Sequence, residues 1–391
     1  MSEAFRIDAR DGSARAGVLV TGHGEVHTPA FVPLATSATV KSLDSSEVAA
    51  LGYEMVLGNT FHLFIEPGHE HIAKLGGLHE FMAWPRPIIT DSGGFQVFSM
   101  GHGSVADEIK GRRRRGESRI LSIDEEGIRF RSYADGGERF MGPETSMEVQ
   151  DALGADVVLS FDECTPFHAD RDYTARSTAR THRWLDRCVD WHRAHAPEGR
   201  LLFGIVQGGY YEDLRLESAE RVAGSEVDGV AVGGSLGREK AQMHEVVEWA
   251  LRPLPEGVPR HLLGIGDVDD LLHAVGAGID SFDCATPTRL GRHGTALVPD
   301  PAARWRLDLT RPASRDGREP IAEGCPCPAC REHTRAYLHY LARAQELTAA
   351  RLITLHNLTF VALLMQGIRG AILEGRLADY AAATLRGERP Y

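Results

Sequence analysis

Short apolar runs alternate with longer amphipathic segments along most of the chain, and polar residues follow nearly every run. The runs are Ala30–Ala35, Met55–Thr60, Pro87–Asp91, Asp156–Asp162, Leu201–Gln207, Gly229–Gly234, Arg260–Gly266 and Ser281–Pro287. Buried parallel strands have this length and apolar character, and eight of them can close a barrel. The pattern predicts an α/β fold, specifically a (β/α)8 TIM barrel.

Segments of helical period lie between most of these runs. They are Pro143–Ala155, Arg171–Ala194, Tyr211–Ala223, Met243–Leu251 and Val268–Ala277. A further helix is predicted over about 333–350, and the alternation over 5–28 predicts a β-hairpin that caps the bottom of the barrel. We therefore divide the chain into a hairpin cap at 1–27, a barrel at 28–310 and a C-terminal subdomain at 311–391, which contains three closely spaced cysteines and further helices.

Polar residues stand at the ends of several predicted strands. Asp91 ends the third run, Asp162 the fourth and Gln207 the fifth, while glycines 233–234 end the sixth and Asp283 lies in the eighth. A single carboxylate in such a position is more often a helix cap than a catalyst. Several on one rim are different, because the carboxyl ends of barrel strands converge on a common centre. The sequence predicts an active site there.

The composition is that of a globular protein, with 42% apolar and 25% charged residues. No apolar run approaches the roughly 18 residues of a membrane span, and the N-terminus lacks a signal peptide, so we expect a cytoplasmic protein without membrane contact. A net charge of −12 argues mildly against nucleic acid. The run Arg112–Arg115 is a local exception; it is either a solvated loop or a basic insertion at about 101–122 that lies near RNA.

A cysteine-rich loop predicts a metal site. Its cysteines are Cys325, Cys327 and Cys330. Structural zinc is tetrahedral and needs a fourth ligand, most naturally a histidine; His356 is one candidate, and His333 and His339 compete with it on spacing alone. We expect one structural Zn²⁺ per subunit, with no open coordination position for catalysis.

Several motifs, in this order and at these spacings, resemble those of the queuine/archaeosine tRNA-ribosyltransferase family, and specifically its bacterial tRNA-guanine transglycosylases. They are TDSGGFQVFS at 90–99, FDECTP at 161–166, GIVQGG at 204–209, FDC-x-x-PTR-x-x-R at 282–292, and CPCPAC at 325–330 followed by LHNL at 355–358. Each motif is moderately specific alone, whereas the combination is very specific. The resemblance covers nearly the whole chain from about Thr28.

The resemblance implies a zinc-containing barrel enzyme that is a homodimer. Bacterial members exchange the wobble guanine in the tRNAs for aspartate, asparagine, histidine and tyrosine for 7-aminomethyl-7-deazaguanine, in queuosine biosynthesis. Asp283 matches the family's nucleophile and Asp91 its general acid/base, so the exchange would pass through a covalent ester, as in retaining glycosidases. The implied partners are the tRNA anticodon loop and free guanine or 7-deazaguanine bases.

The resemblance also assigns binding positions. The substrate-binding positions are Asp91, Ser92, Gly93, Gly94, Phe95, Asp162, Gln207 and Gly234. The RNA-binding positions are Gly264, Ile265, Gly266, Asp267, Val268, Asp269, Asp270, Thr288, Arg289, Leu290, Gly291 and Arg292. The metal ligands it implies are Cys325, Cys327, Cys330 and His356.

These assignments fit the chemistry of guanine. The carboxylate of Asp162 can accept from N1–H and the exocyclic amine, whereas Gln207 and the Gly234 N–H can donate to O6. Phe95 would stack on the base, with ordinary core packing as the alternative.

One loop departs from the bacterial pattern and leaves an alternative open. The loop Ser235-Leu236-Gly237 is one residue shorter than in bacterial members and borders the pocket for the 7-substituent, so a queuine-preferring enzyme is the alternative. A non-catalytic RNA-binding subunit would lack a key aspartate, and an archaeal relative acting on the tRNA D-loop would carry further C-terminal domains. An unrelated barrel hydrolase leaves the motifs unexplained.

Overall fold

The computed structural model describes residues 4–102 and 119–390. The strands, in chain order, are β1 Phe5–Asp11, β2 Ala14–Thr21, β3 Gly24–Thr28, β4 Ala30–Ala35, β5 Val56–Gly58, β6 Ile88–Thr90, β7 Ile120–Ile123, β8 Ile128–Arg131, β9 Glu138–Met141, β10 Val157–Leu159, β11 Leu201–Val206, β12 Gly229–Val232, β13 Arg260–Leu262, β14 Ser281–Cys284, β15 Thr295–Leu297 and β16 Arg306–Asp308.

The helices that the structure describes are α1 Ser45–Ala50, α2 Thr60–Ile65, α3 His69–Lys74, α4 Gly77–Phe81, α5 Gly94–His102, α6 Pro143–Leu153, α7 Arg171–His195, α8 Glu212–Ala223, α9 Lys240–Leu251, α10 Val268–Ala277, α11 Thr286–Arg292, α12 Pro328–Glu332, α13 Arg335–Arg343, α14 Leu347–Leu373 and α15 Leu377–Leu385. A short 3₁₀ turn occupies Pro312–Ser314.

Parallel strands close into a barrel in the order β4, β5, β6, β10, β11, β12, β13, β14. Each of these strands lies within one of the eight predicted apolar runs, so the predicted TIM barrel is confirmed. The strands are buried on both faces, because side chains fill the barrel interior and helices cover its outside. Helices α6 to α10 follow the predicted helical segments, and α10 agrees with its prediction at both ends.

Residues 5–28 form a three-stranded antiparallel sheet, β1–β2–β3, rather than the predicted two-stranded hairpin, because the alternation continues through a second turn. Leu19 and Val26 join the buried cluster that fills the barrel interior. Arg15, which is 1% exposed, forms a buried ion pair with Asp280, just before β14. The sheet therefore contacts the amino-terminal end of the barrel, opposite the predicted active site.

A second antiparallel sheet, β7–β8–β9, is inserted in the chain between the barrel strands β6 and β10, and it was not predicted. Its strands are four residues long, too short to give a clear alternation signal. Ile128 and Phe130 of β8 nevertheless face the main core. The predicted basic insertion at 101–122 overlaps α5 and β7 only at its edges, and Arg112–Arg115 lie outside the described residues.

The C-terminal region is organised by the 27-residue helix α14, which packs against α11 and β15. This helix is long and apolar enough to cross a membrane, which corrects the expectation that no segment approaches that length; however, 72% of its most apolar stretch is buried inside the protein. The helix predicted over about 333–350 is also corrected. It is divided between α13 and α14, with a break where Gln345 adopts a φ of 60°.

Candidate active site

The barrel brings the predicted rim residues together at the carboxyl ends of its strands. Asp91 follows β6, Asp162 follows β10, Gln207 follows β11 and Gly234 follows β12, while Asp283 lies in β14. Gln207 donates to Asp162 at 2.6 Å, and Ser92, the neighbour of Asp91, donates to Asp162 at 2.7 Å. Gly234 lies against the Gln207 side chain, and the negative charge of Asp283 acts on Asp91. The five residues therefore form one cluster at one end of the barrel.

The carboxylate of Asp283 is oriented through one of its two oxygens. Its Oδ1 accepts from the backbone N–H of Gly264 and lies 3.1 Å from Nε2 of His261. Because Nδ1 of His261 is 2.8 Å from the Ser281 hydroxyl, Nε2 can carry the proton and donate to Asp283. Within residues 4–102 and 119–390 no hydrogen bond reaches Oδ2, so this oxygen can face a substrate.

The carboxyl group of Asp91 is surrounded by donors and is only partly exposed to water. Oδ1 accepts from the Thr60 N–H at 2.9 Å, and Oδ2 accepts from the side-chain amides of Asn59 and Gln96. Desolvation raises the pKa of Asp91 to about 7, and the charge of Asp283 adds to this effect. A carboxyl group with this pKa can both donate and accept a proton near neutral pH.

The Asp162 side chain is buried, with 4% of the residue exposed. Its Oδ1 accepts from the Ser92 hydroxyl at 2.7 Å and its Oδ2 accepts from Nε2 of Gln207 at 2.6 Å. Burial raises the pKa of Asp162 to about 6, although these two donors oppose the shift. The group is therefore mainly a carboxylate at neutral pH and keeps acceptor capacity for a ligand.

Glycines allow close approach at two points beside Asp162. A Cβ on Gly94 would lie 2.4 Å from the Asp162 carbonyl oxygen, and one on Gly234 would lie 2.1 Å from Oε1 of Gln207. Gly234 also has a φ of 77°, which L side chains rarely adopt. Oε1 of Gln207 is buried without a hydrogen-bond partner among the described residues, so this acceptor remains open to a donor.

A cavity of about 420 Å³ opens beside this cluster. Residues from several loops form its wall, including Phe95, Cys164, Gly234, Leu236, Arg238 and Asp270. Phe95 is 41% exposed, so its ring lies at the cavity rather than in the core. The guanidinium of Arg238 stacks on the ring of Phe167 at 4.8 Å, which gives the outer end of the cavity a positively charged side.

The predicted RNA-binding positions differ in exposure. On α11, Arg289 and Arg292 are exposed, whereas Gly291 is buried where a Cβ would lie 2.8 Å from the Thr354 nitrogen of α14. Lys240 of α9 pairs with three aspartates that follow β13, namely Asp267, Asp269 and Asp270. Both arginines therefore lie exposed next to β14.

The structure assembles a candidate metal site from three cysteines and one histidine. They are Cys325, Cys327, Cys330 and His356. The three sulfurs lie 3.3–3.6 Å from Nδ1 of His356, close to the roughly 3.5 Å between sulfur and nitrogen ligands of a tetrahedral zinc ion. Nε2 of His356 donates to the Leu297 carbonyl at 2.7 Å, which orients Nδ1 towards the sulfurs. His339 is instead hydrogen-bonded to the Leu309 carbonyl.

Two residues of the active site were not predicted, His261 and Asn59. Both stand in predicted strands: His261 is the central residue of β13, and Asn59 follows β5 directly. A histidine inside an otherwise apolar run is the feature of the sequence that indicates His261.

The closed barrel, the carboxylates gathered at one end of it and the candidate metal site define the class of protein, a (β/α)8 barrel enzyme. A family model described as Queuine tRNA-ribosyltransferase matches residues 10–390. The chain therefore belongs to the Queuine tRNA-ribosyltransferase family, and the family predicted from the motifs is confirmed.

Similar proteins cover almost the whole chain. A queuine tRNA-ribosyltransferase of Roseiflexus sp. (strain RS-1) is 50% identical over 398 residues, which span 98% of this chain and 100% of the relative. The corresponding protein of Pelotomaculum thermopropionicum is 44% identical, with 99% of each chain covered. That of Fusobacterium nucleatum subsp. nucleatum is 42% identical, over 96% of this chain and 95% of the relative.

Proposed function

We propose that this protein is a tRNA-guanine transglycosylase that exchanges the wobble guanine of tRNA for 7-aminomethyl-7-deazaguanine. The observation that carries the proposal is the cluster at the carboxyl ends of the strands, where Asp91 and Asp283 lie beside a base-sized site built on Asp162. Family membership supports the same reaction. The protein is a transferase, and the aspartates that a non-catalytic subunit would lack are present and assembled.

Guanine recognition would use three neighbouring groups. The carboxylate of Asp162 accepts from N1–H and the exocyclic amine of the base. Nε2 of Gln207 has two hydrogens, of which one is directed at Asp162, so the other remains for O6. The Gly234 N–H is the second donor to O6, because the absent side chain lets the base approach. Phe95 would stack on the ring from the cavity wall.

The exchange would proceed in two displacements at C1′ of the ribose. Oδ2 of Asp283 attacks C1′, the C1′–N9 bond breaks, and its electron pair leaves on guanine, which takes a proton from Asp91. The incoming base then gives the N9 proton to Asp91, its nitrogen attacks C1′, and the ester bond to Asp283 breaks. A pKa near 7 suits Asp91 to both proton transfers, and no further reagent is consumed.

The metal site would hold structural Zn²⁺. Bound zinc would cross-link the cysteine loop to helix α14, and four protein ligands leave no position for substrate. Cys330 begins this link at α12 and His356 ends it in α14. Because α14 packs on α11, the helix that follows Asp283, the zinc site supports the active site at a distance.

The RNA partner would approach the same rim, with Arg289 and Arg292 contacting phosphates of the anticodon loop.

We also propose a homodimer. Its support is an exposed apolar face at α13 and the start of α14, where Tyr340 is 64% and Leu347 is 85% exposed. Sedimentation of wild type and Tyr340→Arg at equal concentration tests this assignment. Wild type should sediment as a dimer and Tyr340→Arg as a monomer, and a wild type that sediments as a monomer would contradict the proposal.

The experiment that tests the function is incorporation of labelled guanine into a tRNA-Tyr anticodon stem-loop. We expect incorporation by wild type and none by Asp283→Asn, which keeps the size of the side chain. Wild type should also give a covalent RNA adduct on denaturing gels, and Asp283→Asn should not. Asp213→Asn, an exposed carboxylate of α8 that pairs with Arg171 and belongs to none of the assigned positions, is the matched control and should remain active.

Two outcomes would decide against the proposal. No incorporation by folded, zinc-loaded wild type would favour a non-catalytic RNA-binding subunit. Incorporation by Asp283→Asn at the wild-type rate would assign the nucleophile elsewhere. Competition between 7-aminomethyl-7-deazaguanine and queuine in the same assay then determines which base this pocket prefers.

A further inference from the structure

Arg215 is a buried cation that the proposed reaction has not yet used. It lies on α8, is 0% exposed, and forms no ion pair with any carboxylate within residues 4–102 and 119–390. Burial lowers the pKa of Arg215 to about 9, so the guanidinium remains protonated at neutral pH. A charge this deep is costly unless nearby groups offset it, so the groups that Arg215 contacts are under strong constraint.

The guanidinium of Arg215 donates only to backbone carbonyls of the two loops that surround the proposed base site. Nε reaches the Gly209 oxygen at 2.8 Å, and Nη2 reaches the Ser235 oxygen at 2.9 Å. Nη1 donates to the carbonyls of Val206 at 3.0 Å and Gly233 at 2.8 Å. A single planar side chain therefore sets the distance between the loop after β11 and the loop after β12.

The hydrogen bond from Arg215 to the Gly233 carbonyl has an electronic consequence. The carbonyl of Gly233 and the N–H of Gly234 belong to the same peptide group, so the cation at the carbonyl polarises the N–H. That N–H is the proposed donor to O6 of guanine. When the C1′–N9 bond breaks, the electron pair spreads over the purine and increases the negative charge on O6. The positive charge of Arg215 then lies directly behind the donor that meets this charge.

We infer that Arg215 is a positioning residue for base exchange, which orients the Gly234 N–H towards O6 and stabilises the departing base through the Gly233–Gly234 peptide group. This inference rests on the proposed function. The effect resembles an oxyanion hole with a charge placed behind it, because it is preorganised and acts only where negative charge develops.

The chain offers a matched control in Arg260. This arginine is also buried and also donates to backbone carbonyls, namely those of Leu254, Pro255 and Gly278, but it lies at the amino-terminal end of β13. Arg215→Lys and Arg260→Lys should therefore lower the melting temperature to a similar degree. Only Arg215→Lys should reduce kcat/KM for guanine exchange, by about tenfold or more in excess of Arg260→Lys.

A second readout separates the electronic role from a merely structural one. 6-Thioguanine keeps the N1–H and the amine but replaces O6 with sulfur, a weaker hydrogen-bond acceptor. Wild type should bind guanine more tightly than 6-thioguanine, and this preference should shrink in Arg215→Gln, which loses the charge, more than in Arg215→Lys, which keeps it.

Equal loss of exchange in Arg215→Lys and Arg260→Lys, with an unchanged guanine preference, would overturn the inference. If neither Arg215 variant folds, equal binding of guanine and 6-thioguanine by wild type would overturn it as well. Failure of wild type to exchange guanine at all is a different result, because it rejects the proposed function itself.

Discussion

Replacing Gly234 by alanine gives the most direct test of how the base site is built. The backbone there has a φ of 77°, and the new Cβ would lie 2.1 Å from Oε1 of Gln207. The left-handed conformation costs alanine about 1–2 kcal/mol relative to glycine. Displacement of the Gln207 amide would also remove a hydrogen bond to the buried Asp162 carboxylate, which is worth about 1–3 kcal/mol.

The expected loss of unfolding free energy is thus about 2–5 kcal/mol, which a protein of this size can tolerate. The effect on exchange should be much larger. The new methyl group occupies the approach to O6 and moves a second donor away from it, so we expect kcat/KM for guanine to fall by about 100-fold or more. Urea unfolding and labelled-guanine incorporation, measured on the same preparations, provide both numbers.

The matched control is Gly136→Ala. Gly136 has a φ of 72° in the turn before β9, and nothing lies within 4 Å of its added Cβ. The variant should lose about 1–2 kcal/mol of stability through backbone strain alone and retain wild-type exchange. If the two variants exchange guanine equally well per folded molecule, then Gly234 does not border the base and our recognition model is wrong.

Titration of Asp162 should control binding of the free base, because its pKa is raised to about 6 and the group is protonated below that pH. Calorimetry should show that the guanine affinity of wild type falls from about pH 7 to about pH 5, whereas Asp162→Asn should bind guanine weakly at every pH. His261→Ala removes one of two donors to Asp283 and should slow formation of the covalent RNA adduct roughly tenfold, without altering guanine affinity; equal adduct rates on denaturing gels would contradict this role. Elemental analysis should find one zinc per chain in wild type and in His339→Ala but none in His356→Ala, and loss of zinc from both variants would argue against the assigned ligand.

The barrel could be predicted because its signal is local. Each parallel strand is buried on both faces and appears as a short apolar run, and all eight runs contain a barrel strand. The elements that were missed or wrong give weak local signals. Strands β7 to β9 are only four residues long, and the division of the predicted helix at 344–346 depends on a single residue with positive φ.

Much of the site could also be predicted, because a barrel places the ends of all its strands on one rim. Asp91, Asp162 and Asp283 were expected there and are there. The residues that orient them were not. Asn59 is 32 positions before Asp91, and His261 is 22 positions before Asp283, so no spacing rule connects either pair.

The sequence by itself determined the fold class, the rim that bears the chemistry and the family, because strand periodicity and motif order are written along the chain. Only the tertiary structure decided which partners each group contacts. It selects His356 over His339 because the Leu297 carbonyl orients its ring, and it places the unpaired charge of Arg215 behind the Gly234 peptide. Such contacts join residues that are distant in sequence, and their energies depend on burial and direction, which a linear pattern does not contain.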